Sequence, residues 1–170
     1  MTRTSTVITQ LSTFLFLLLV SCFSFAKEYK VEVLVFENTT PSFATESSQY
    51  VEPRESRSGS ETWPLQPSML LEEANRIQNS SNYQLVHHFS WGQKTLPYEK
   101  SANFSVAEQN ARGFIKVYAE QLLFANIDLD FLGYRMVEKR RLKLNEKHFF
   151  DHPKFGLLMQ VSRLENKANN

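Results

Sequence analysis

The groups that could do chemistry are concentrated near the end of the chain, in residues 147–156. This stretch reads Lys-His-Phe-Phe-Asp-His-Pro-Lys-Phe-Gly, with half of the chain's four histidines, three aromatic rings and one carboxylate. A basic run, Lys139-Arg140-Arg141-Leu142-Lys143, lies just before it. No other stretch holds so many groups able to bind a metal ion, an anion or a sugar. These residues are therefore the first candidates for a functional site.

Metal binding is the first possibility. His148, Asp151 and His152 are ligand types that zinc accepts, and His87 with His88 could add to them. The spacing matches no established zinc signature, and adjacent strand residues such as 87 and 88 point to opposite faces. Turn and strand histidines that hydrogen-bond the backbone explain the pattern as well. We therefore predict no metal and no cofactor, and a metal-dependent hydrolase is kept as the last hypothesis.

Catalytic motifs are weak elsewhere in the chain. No serine lies in a G-x-S-x-G elbow or an S-x-x-K pair. Asp128 and Asp130 share a strand face, and alternate strand positions lie roughly 6–7 Å apart, which a pair of glycosidase carboxylates would tolerate. Carboxylates on a solvated strand face near a turn are far more common. We therefore predict that the chain is not an enzyme.

The basic run and the nearby rings predict a binding surface. Arg140 and Arg141 point to opposite faces of a strand, so only one of them can join a given surface. Arginine binds carboxylates through two parallel hydrogen bonds, and aromatic faces pack against sugar rings. The predicted ligand-binding residues are Arg140, Arg141, His148, Trp91 and Tyr134.

The rest of residues 147–156 is expected to be structural. Phenylalanine is usually buried, so the three rings of this stretch are predicted to pack inward. Asp151 is expected to hold the bend through its own backbone. The predicted turn residues are Asp151, His152, Pro153 and Gly156.

Residues 1–26 are predicted to be a cleaved signal peptide. Arg3 is their only charge, an apolar run covers residues 14–20, and Ser24 and Ala26 form a small-residue cleavage site. The apolar run is too short to span a bilayer comfortably. Lipidation at Cys22 is the alternative, but few residues would then separate the lipid from the first strand. Cleavage after Ala26 is the preferred interpretation.

Composition then narrows the class of protein. Removing Arg3 from 19 basic residues, and no residue from 18 acidic ones, leaves a mature chain with 18 of each. Such a neutral chain is not expected to bind nucleic acid. Cys22 is the only cysteine, so the mature chain would have no disulfide. Together these features favour the periplasm of a Gram-negative bacterium.

The elements that position these residues can be predicted from periodicity. Two-residue alternation predicts strands over residues 30–36, 83–91, 113–131, 134–148 and 156–164. The longest of these, 113–131, is expected to bend or bulge near Gln121. A helix is predicted from Ser68 to about Ser80, with Ser68 as its N-cap.

These elements predict an α+β fold in a single domain, residues 27–164. The expected architecture is an antiparallel sheet of about five strands, the late ones a meander, with the helix on one face. Residues 38–67, rich in Ser, Thr, Glu and Pro, are expected to form a mobile loop, and residues 165–170 a frayed tail.

Three stretches resemble the CsiV family of periplasmic peptidoglycan-binding proteins. The main one is Arg140-Arg141-Leu142 followed by residues 147–156, whose Asp-His-Pro turn and Phe-Gly pair are the most specific features. The others are Tyr29–Phe36, similar to the family's first strand, and Tyr83-Gln84-Leu85 with Trp91-Gly92-Gln93. The chain departs from the family in Lys147, where an apolar residue is usual, and in being short between Gln93 and Gly113.

The resemblance implies a role without catalysis. It suggests a periplasmic factor that binds peptidoglycan and assists a lipoprotein activator of a class A penicillin-binding protein. Such a factor would support cell-wall synthesis and cell shape. The alternative is an envelope protein-interaction or assembly module that does not bind the wall, and the least favoured is a metal-dependent wall hydrolase.

Overall fold

In the part of the chain that the structure describes, the fold consists of eight strands and one helix. The computed structural model describes residues 28–40, 67–107 and 110–164. The elements are β1 (Glu28–Asn38), α1 (Leu71–Gln78), β2 (Tyr83–Lys94), β3 (Phe104–Ala107), β4 (Ala111–Ala119), β5 (Leu123–Phe131), β6 (Tyr134–Leu142), β7 (Lys147–Asp151) and β8 (Phe155–Arg163). The predicted signal peptide, most of the predicted loop and the predicted tail lie outside the described residues. Within the described residues, no helix is long and apolar enough to cross a membrane.

The strands form two antiparallel sheets. Sheet A has the order β2-β1-β8-β7, and sheet B has the order β3-β4-β5-β6. Alternate residues of each sheet, such as Val33 and Met159 in sheet A and Ile115 and Ile127 in sheet B, are fully buried in one shared core. Aromatic rings meet across the core, with the Phe131 and Phe155 centroids 5.4 Å apart. The domain is therefore a two-layer sandwich held by apolar burial.

The predicted single sheet of about five strands is wrong, although antiparallel strands with one helix are confirmed. The stretch 113–131 is two strands, because the chain reverses at residues 120–122 and Ala119 pairs with Leu123. A three-residue loop leaves these two residues four positions apart. The two-residue alternation therefore continues through the loop and conceals it.

The second long strand predicted, residues 134–148, is also two elements. β6 ends at Leu142 in sheet B, and β7 begins at Lys147 in sheet A, so the chain passes from one layer to the other between them. Asn145, with a positive φ of 62°, lies in this crossing. A tight turn at Leu132-Gly133, with φ angles of 53° and 87°, joins β5 to β6.

Helix α1 covers the outer face of sheet A. Leu70, which precedes the helix, and Ala74 pack on Leu34, on the face of β1 that points away from the main core. The helix is shorter than predicted, and Ser68 does not cap it, because the Ser68 hydroxyl donates to the carboxylate of Glu32. Glu32 also accepts the backbone N–H groups of Met69 and Leu70, so a strand carboxylate replaces the expected cap.

Candidate functional site

Trp91 does not reach the surface. Its side chain is 1% exposed and stacks on Phe104 with ring centroids 4.2 Å apart. The indole N–H donates to the Gln93 side chain over 2.8 Å, and Gln93 in turn donates to the Val117 carbonyl oxygen in sheet B. The Trp-Gly-Gln stretch therefore joins the two sheets. Trp91 is therefore a core residue and lies outside the candidate site.

Arg140 and Arg141 have different surroundings, as their alternation predicts. The Arg140 guanidinium lies 4.6 Å from the centre of the Phe150 ring, pairs with Glu138 and donates to the Phe149 carbonyl oxygen. Arg140 therefore bridges β6 of sheet B and β7 of sheet A. Arg141 is exposed on the outer face of sheet B.

His148 and Tyr134 also have local partners. The Lys143 backbone N–H donates to His148 Nε2 over 3.0 Å, which holds the crossing between β6 and β7. Tyr134 is half-buried and packs against the main core, with the Lys154 ammonium 5.5 Å from its ring centre. Both residues are partly exposed, and their role in ligand binding stays a prediction.

The turn at residues 151–154 is built differently from the expectation. The His152 N–H closes the turn by donating to the Phe155 carbonyl oxygen over 3.0 Å, and His152 Nδ1 accepts the Lys154 N–H over 3.2 Å, while the Asp151 side chain is exposed. Gly156 belongs to β8 and not to the turn. A Cβ there would lie 2.5 Å from Phe36 Cζ, so glycine is required by the close approach of that ring. Phe150 and Phe155 are buried as predicted, but Phe149 is 46% exposed.

The residues considered for catalysis are occupied in ion pairs or scattered. Arg135 binds both oxygens of Asp128 at 2.7 Å, and Arg112 lies 3.5 Å from Asp130. The Asp128 hydrogen bonds raise the pKa of Arg135. In the part of the chain that the structure describes, no three His, Cys, Asp or Glu side chains are grouped as a metal site.

The strongest candidate site is one half of the outer face of sheet B. The strand register places Tyr118, Phe124 and Arg141 in one row across β4, β5 and β6. The next row contains Lys116, Asn126 and Lys139. We call these two rows the basic face: Lys116, Tyr118, Phe124, Asn126, Lys139 and Arg141. Its three cations form no ion pair among the described residues.

The remaining half of this outer face is electrically balanced. A third row across the three strands contains Phe114, Asp128 and Val137. The fourth row contains Arg112, Asp130 and Arg135. These two arginines offset Asp128 and Asp130 through the ion pairs given above. The excess positive charge of the sheet is therefore concentrated on the basic face, at the end of the strands near the β4–β5 turn.

Aromatic rings lie under and beside the cations. Tyr98, Tyr118 and Phe124 form a continuous group, with ring centroids 4.9 Å and 5.5 Å apart. The Lys116 ammonium lies 4.1 Å from the centre of the Tyr98 ring and donates to the Tyr98 carbonyl oxygen over 3.1 Å. The Lys139 ammonium lies 5.8 Å from the Tyr118 ring and 5.7 Å from the Phe124 ring. These distances are those of cation–π contacts.

Lys139 is held in its charged form. The Tyr118 hydroxyl raises the pKa of Lys139, and the carboxylate of Glu120 adds to the effect. The Tyr118 hydroxyl has no hydrogen-bond partner of good geometry in the described residues, so we attribute its effect to proximity and not to a formed bond. The basic face therefore presents two lysine charges held over aromatic rings, with the exposed Arg141 beside them.

Sequence reasoning found part of this site. It selected Arg141, and it predicted a solvated strand face at Asp128 and Asp130, which belong to the same face of sheet B. It missed the grouping with Phe124 and Lys139, because the single strand predicted over residues 113–131 contains no hairpin. The signal that could have found it is the polar break at Glu120-Gln121, which marks the hairpin.

A second recessed surface lies on the outer face of sheet A. A groove of about 400 Å³ runs between α1 and the ends of β1, β2 and β7. Its aromatic lining is Phe36, Tyr83 and Phe149, and the two exposed rings, Tyr83 and Phe149, both contact Phe36. We call this the aromatic groove. Its other lining residues are Glu73, Arg76, Ile77, Ser80 and Leu158.

A comparison with protein families agrees with the resemblance stated above. The family model that matches is described as peptidoglycan-binding protein, CsiV. Residues 100–164 match the CsiV family. The CsiV match includes every residue of the basic face and the turn at residues 151–154. It does not extend to β1 or β2, where the likeness stays a prediction. Searches of curated proteins and of solved structures give no match.

Proposed function

We propose that this chain is a non-enzymatic, periplasmic accessory protein that binds peptidoglycan through the basic face and supports cell-wall synthesis and cell shape. The observation that carries the proposal is the position of the basic face within residues 100–164, the part of the chain that matches a peptidoglycan-binding family. The predicted signal peptide supports the periplasmic location.

The chemistry of the basic face suits this polymer. Peptidoglycan carries carboxylates on its peptides, and unpaired cations on a solvated sheet face bind such groups by charge-assisted hydrogen bonds. A flat sheet face also suits a net-like polymer better than a deep pocket would, because it can contact neighbouring strands of the polymer at the same time. The ion-paired half of the face, with Asp128 and Asp130, contributes little net attraction.

Arg141→Gln is expected to weaken binding to purified cell-wall sacculi three- to tenfold, as the loss of one charge-assisted contact of about 1 kcal/mol predicts. Co-sedimentation at low ionic strength measures this, because salt screens exposed charges. Arg163→Gln is the matched control, since it removes an exposed arginine from sheet A and should leave binding unchanged. Equal affinities for the wild type and Arg141→Gln would place the site elsewhere, and no sedimentation of the wild type would reject wall binding.

The aromatic groove favours a second candidate function, docking of a protein partner. Its lining is mostly apolar, so sugar hydroxyl groups would lose hydrogen bonds to water there without replacement. Apolar side chains of another protein fit better, and the charge of Arg76 at the rim is already offset by Glu72. The groove lies on the opposite side of the sandwich from the basic face. The partner expected from the resemblance is a lipoprotein activator of a class A penicillin-binding protein.

Phe149→Ser is expected to abolish detectable binding to this purified activator while retention on sacculi stays unchanged. Surface plasmon resonance with the mature chain immobilised measures the first, and co-sedimentation measures the second. Val137→Ser, which removes an apolar side chain exposed on sheet B, is the control. Activator binding that survives Phe149→Ser would exclude the groove as the docking surface.

A further inference from the structure

We infer that the basic face recognises the carboxylates of the stem peptides of peptidoglycan and not its glycan strands. The inference rests on the proposed function and specifies which part of the polymer is bound. Its basis is that the aromatic rings of the face contact the lysine ammonium groups of the same face.

The rings of the basic face are not available for stacking on sugars. Tyr118 is 2% exposed, and its ring lies against Phe124 on one side and Tyr98 on another. The ring faces of Tyr98, Tyr118 and Phe124 are approached by the lysine ammonium groups. A sugar would have to displace those ammonium groups before it could pack on a ring.

The rings instead position the cations. A lysine side chain on a surface normally samples many rotamers, and this freedom is lost when it binds a ligand. Lys116 and Lys139 are each held over a ring, and Lys116 is also fixed by the Tyr98 carbonyl oxygen. Their charges are therefore already located when an anion arrives, and less freedom is lost on binding.

The spacing of the three cations suits a short peptide with more than one carboxylate. Lys116 and Lys139 are on strands that flank β5, so their backbones are about 10 Å apart. Arg141 follows Lys139 by two residues, which is about 7 Å along the strand. Asn126, between the two lysines, can donate to or accept from a peptide group. Carboxylates spaced along a stem peptide match this triangle, whereas an uncharged amino sugar offers no anion to it.

The decisive experiment compares native sacculi with sacculi whose carboxylates have been converted to neutral amides by carbodiimide and glycinamide. The glycan is unchanged by this treatment. The mature chain should bind native sacculi at least tenfold more tightly than amidated ones. Isolated stem peptide should compete for native sacculi, and neutral N-acetylglucosamine oligomers should not. Equal binding to amidated sacculi, or competition by the neutral oligomers, would overturn the inference while leaving wall binding established.

A triple variant assigns the effect to the basic face. Lys116→Gln, Lys139→Gln and Arg141→Gln together should bind native and amidated sacculi equally weakly. The control neutralises three exposed cations elsewhere, Lys94→Gln, Lys143→Gln and Arg163→Gln, and should keep the preference for native sacculi. A triple variant that still prefers native sacculi would assign the carboxylates to another surface. Failure of the wild type to bind native sacculi would instead reject the proposed function, and the inference with it.

Discussion

Gly113→Ala is expected to destabilise the domain by about 3–5 kcal/mol, the sum of a strained backbone and a steric clash in a packed sheet. Gly113 has a φ of 139°, a conformation that residues with a side chain rarely adopt. A Cβ there would lie 2.1 Å from the Asp128 carbonyl oxygen and 2.9 Å from Leu129 Cα. Both atoms belong to the backbone of β5, so the clash can be relieved only by separating β4 from β5. Urea denaturation of the purified domain measures the loss.

Gly133→Ala is the matched control for this prediction. Gly133 also has a positive φ, 87°, but no atom lies within 4 Å of the position of a Cβ. The expected cost is therefore the backbone strain alone, about 1 kcal/mol. A Gly113 variant that loses no more stability than the Gly133 variant would show that β4 and β5 adjust without cost. The explanation by close backbone approach would then be wrong.

Sequence patterns predicted local elements well and their assembly poorly. Alternation predicted strands over residues 30–36, 113–131 and 156–164, and the structure buries alternate residues of these stretches, such as Val33, Ile127 and Met159. Alternation cannot show which strands share a sheet, because the strands of both sheets of a sandwich show the same alternation of buried and exposed residues. The short strand β3 was missed because residues 93–111 are polar overall, and the four residues Phe104–Ala107 are too few for a periodic signal.

The candidate site was predictable only in part for the same reason. Arg141 could be selected because strand residues alternate, which separates it from Arg140. The contacts of Arg140 with Phe150, and of Trp91 with Phe104, join different sheets and depend on how the sheets pack. Aromatic and arginine side chains are common both in binding sites and in such structural contacts. Only the packing shows which role each one has.

The second large loss of stability is expected on changing Glu32, because its buried carboxylate connects α1 to sheet A. The side chain is 0% exposed and accepts hydrogen bonds from Ser68, Met69 and Leu70. His88 Nε2 lies 2.8 Å from one carboxylate oxygen, and the Lys30 ammonium lies 3.5 Å from the other. A buried carboxylate is tolerated only with such partners, so removing its charge leaves several groups without compensation.

Glu32→Gln is expected to cost about 2–4 kcal/mol, because the amide has one acceptor oxygen in place of two and turns an NH2 group toward existing donors. Helix α1 should loosen first, because the N–H groups of Met69 and Leu70 donate to different carboxylate oxygens and one of them loses its acceptor. Hydrogen exchange at these two amides, together with urea denaturation, measures the effect. Glu99→Gln, which changes an exposed loop carboxylate, is the control and should lose less than about 0.5 kcal/mol. Slow exchange retained at both amides would contradict this role.

Glu32 also predicts how stability depends on pH. Burial alone would raise the pKa of Glu32 above its ordinary value of 4.5, but the hydrogen bonds from Ser68, Met69 and His88 and the charge of Lys30 together lower it. The unfolded chain therefore takes up a proton at this residue at higher pH than the folded chain does. The stabilisation that the Glu32 carboxylate contributes is present above about pH 4.5, and it is lost as the pH falls through the lowered pKa of Glu32 in the folded chain. As the pH falls below about 4.5, the free energy of unfolding should consequently fall less steeply in Glu32→Gln than in the wild type. Equal slopes would mean that Glu32 has the same proton affinity in the folded and unfolded chain.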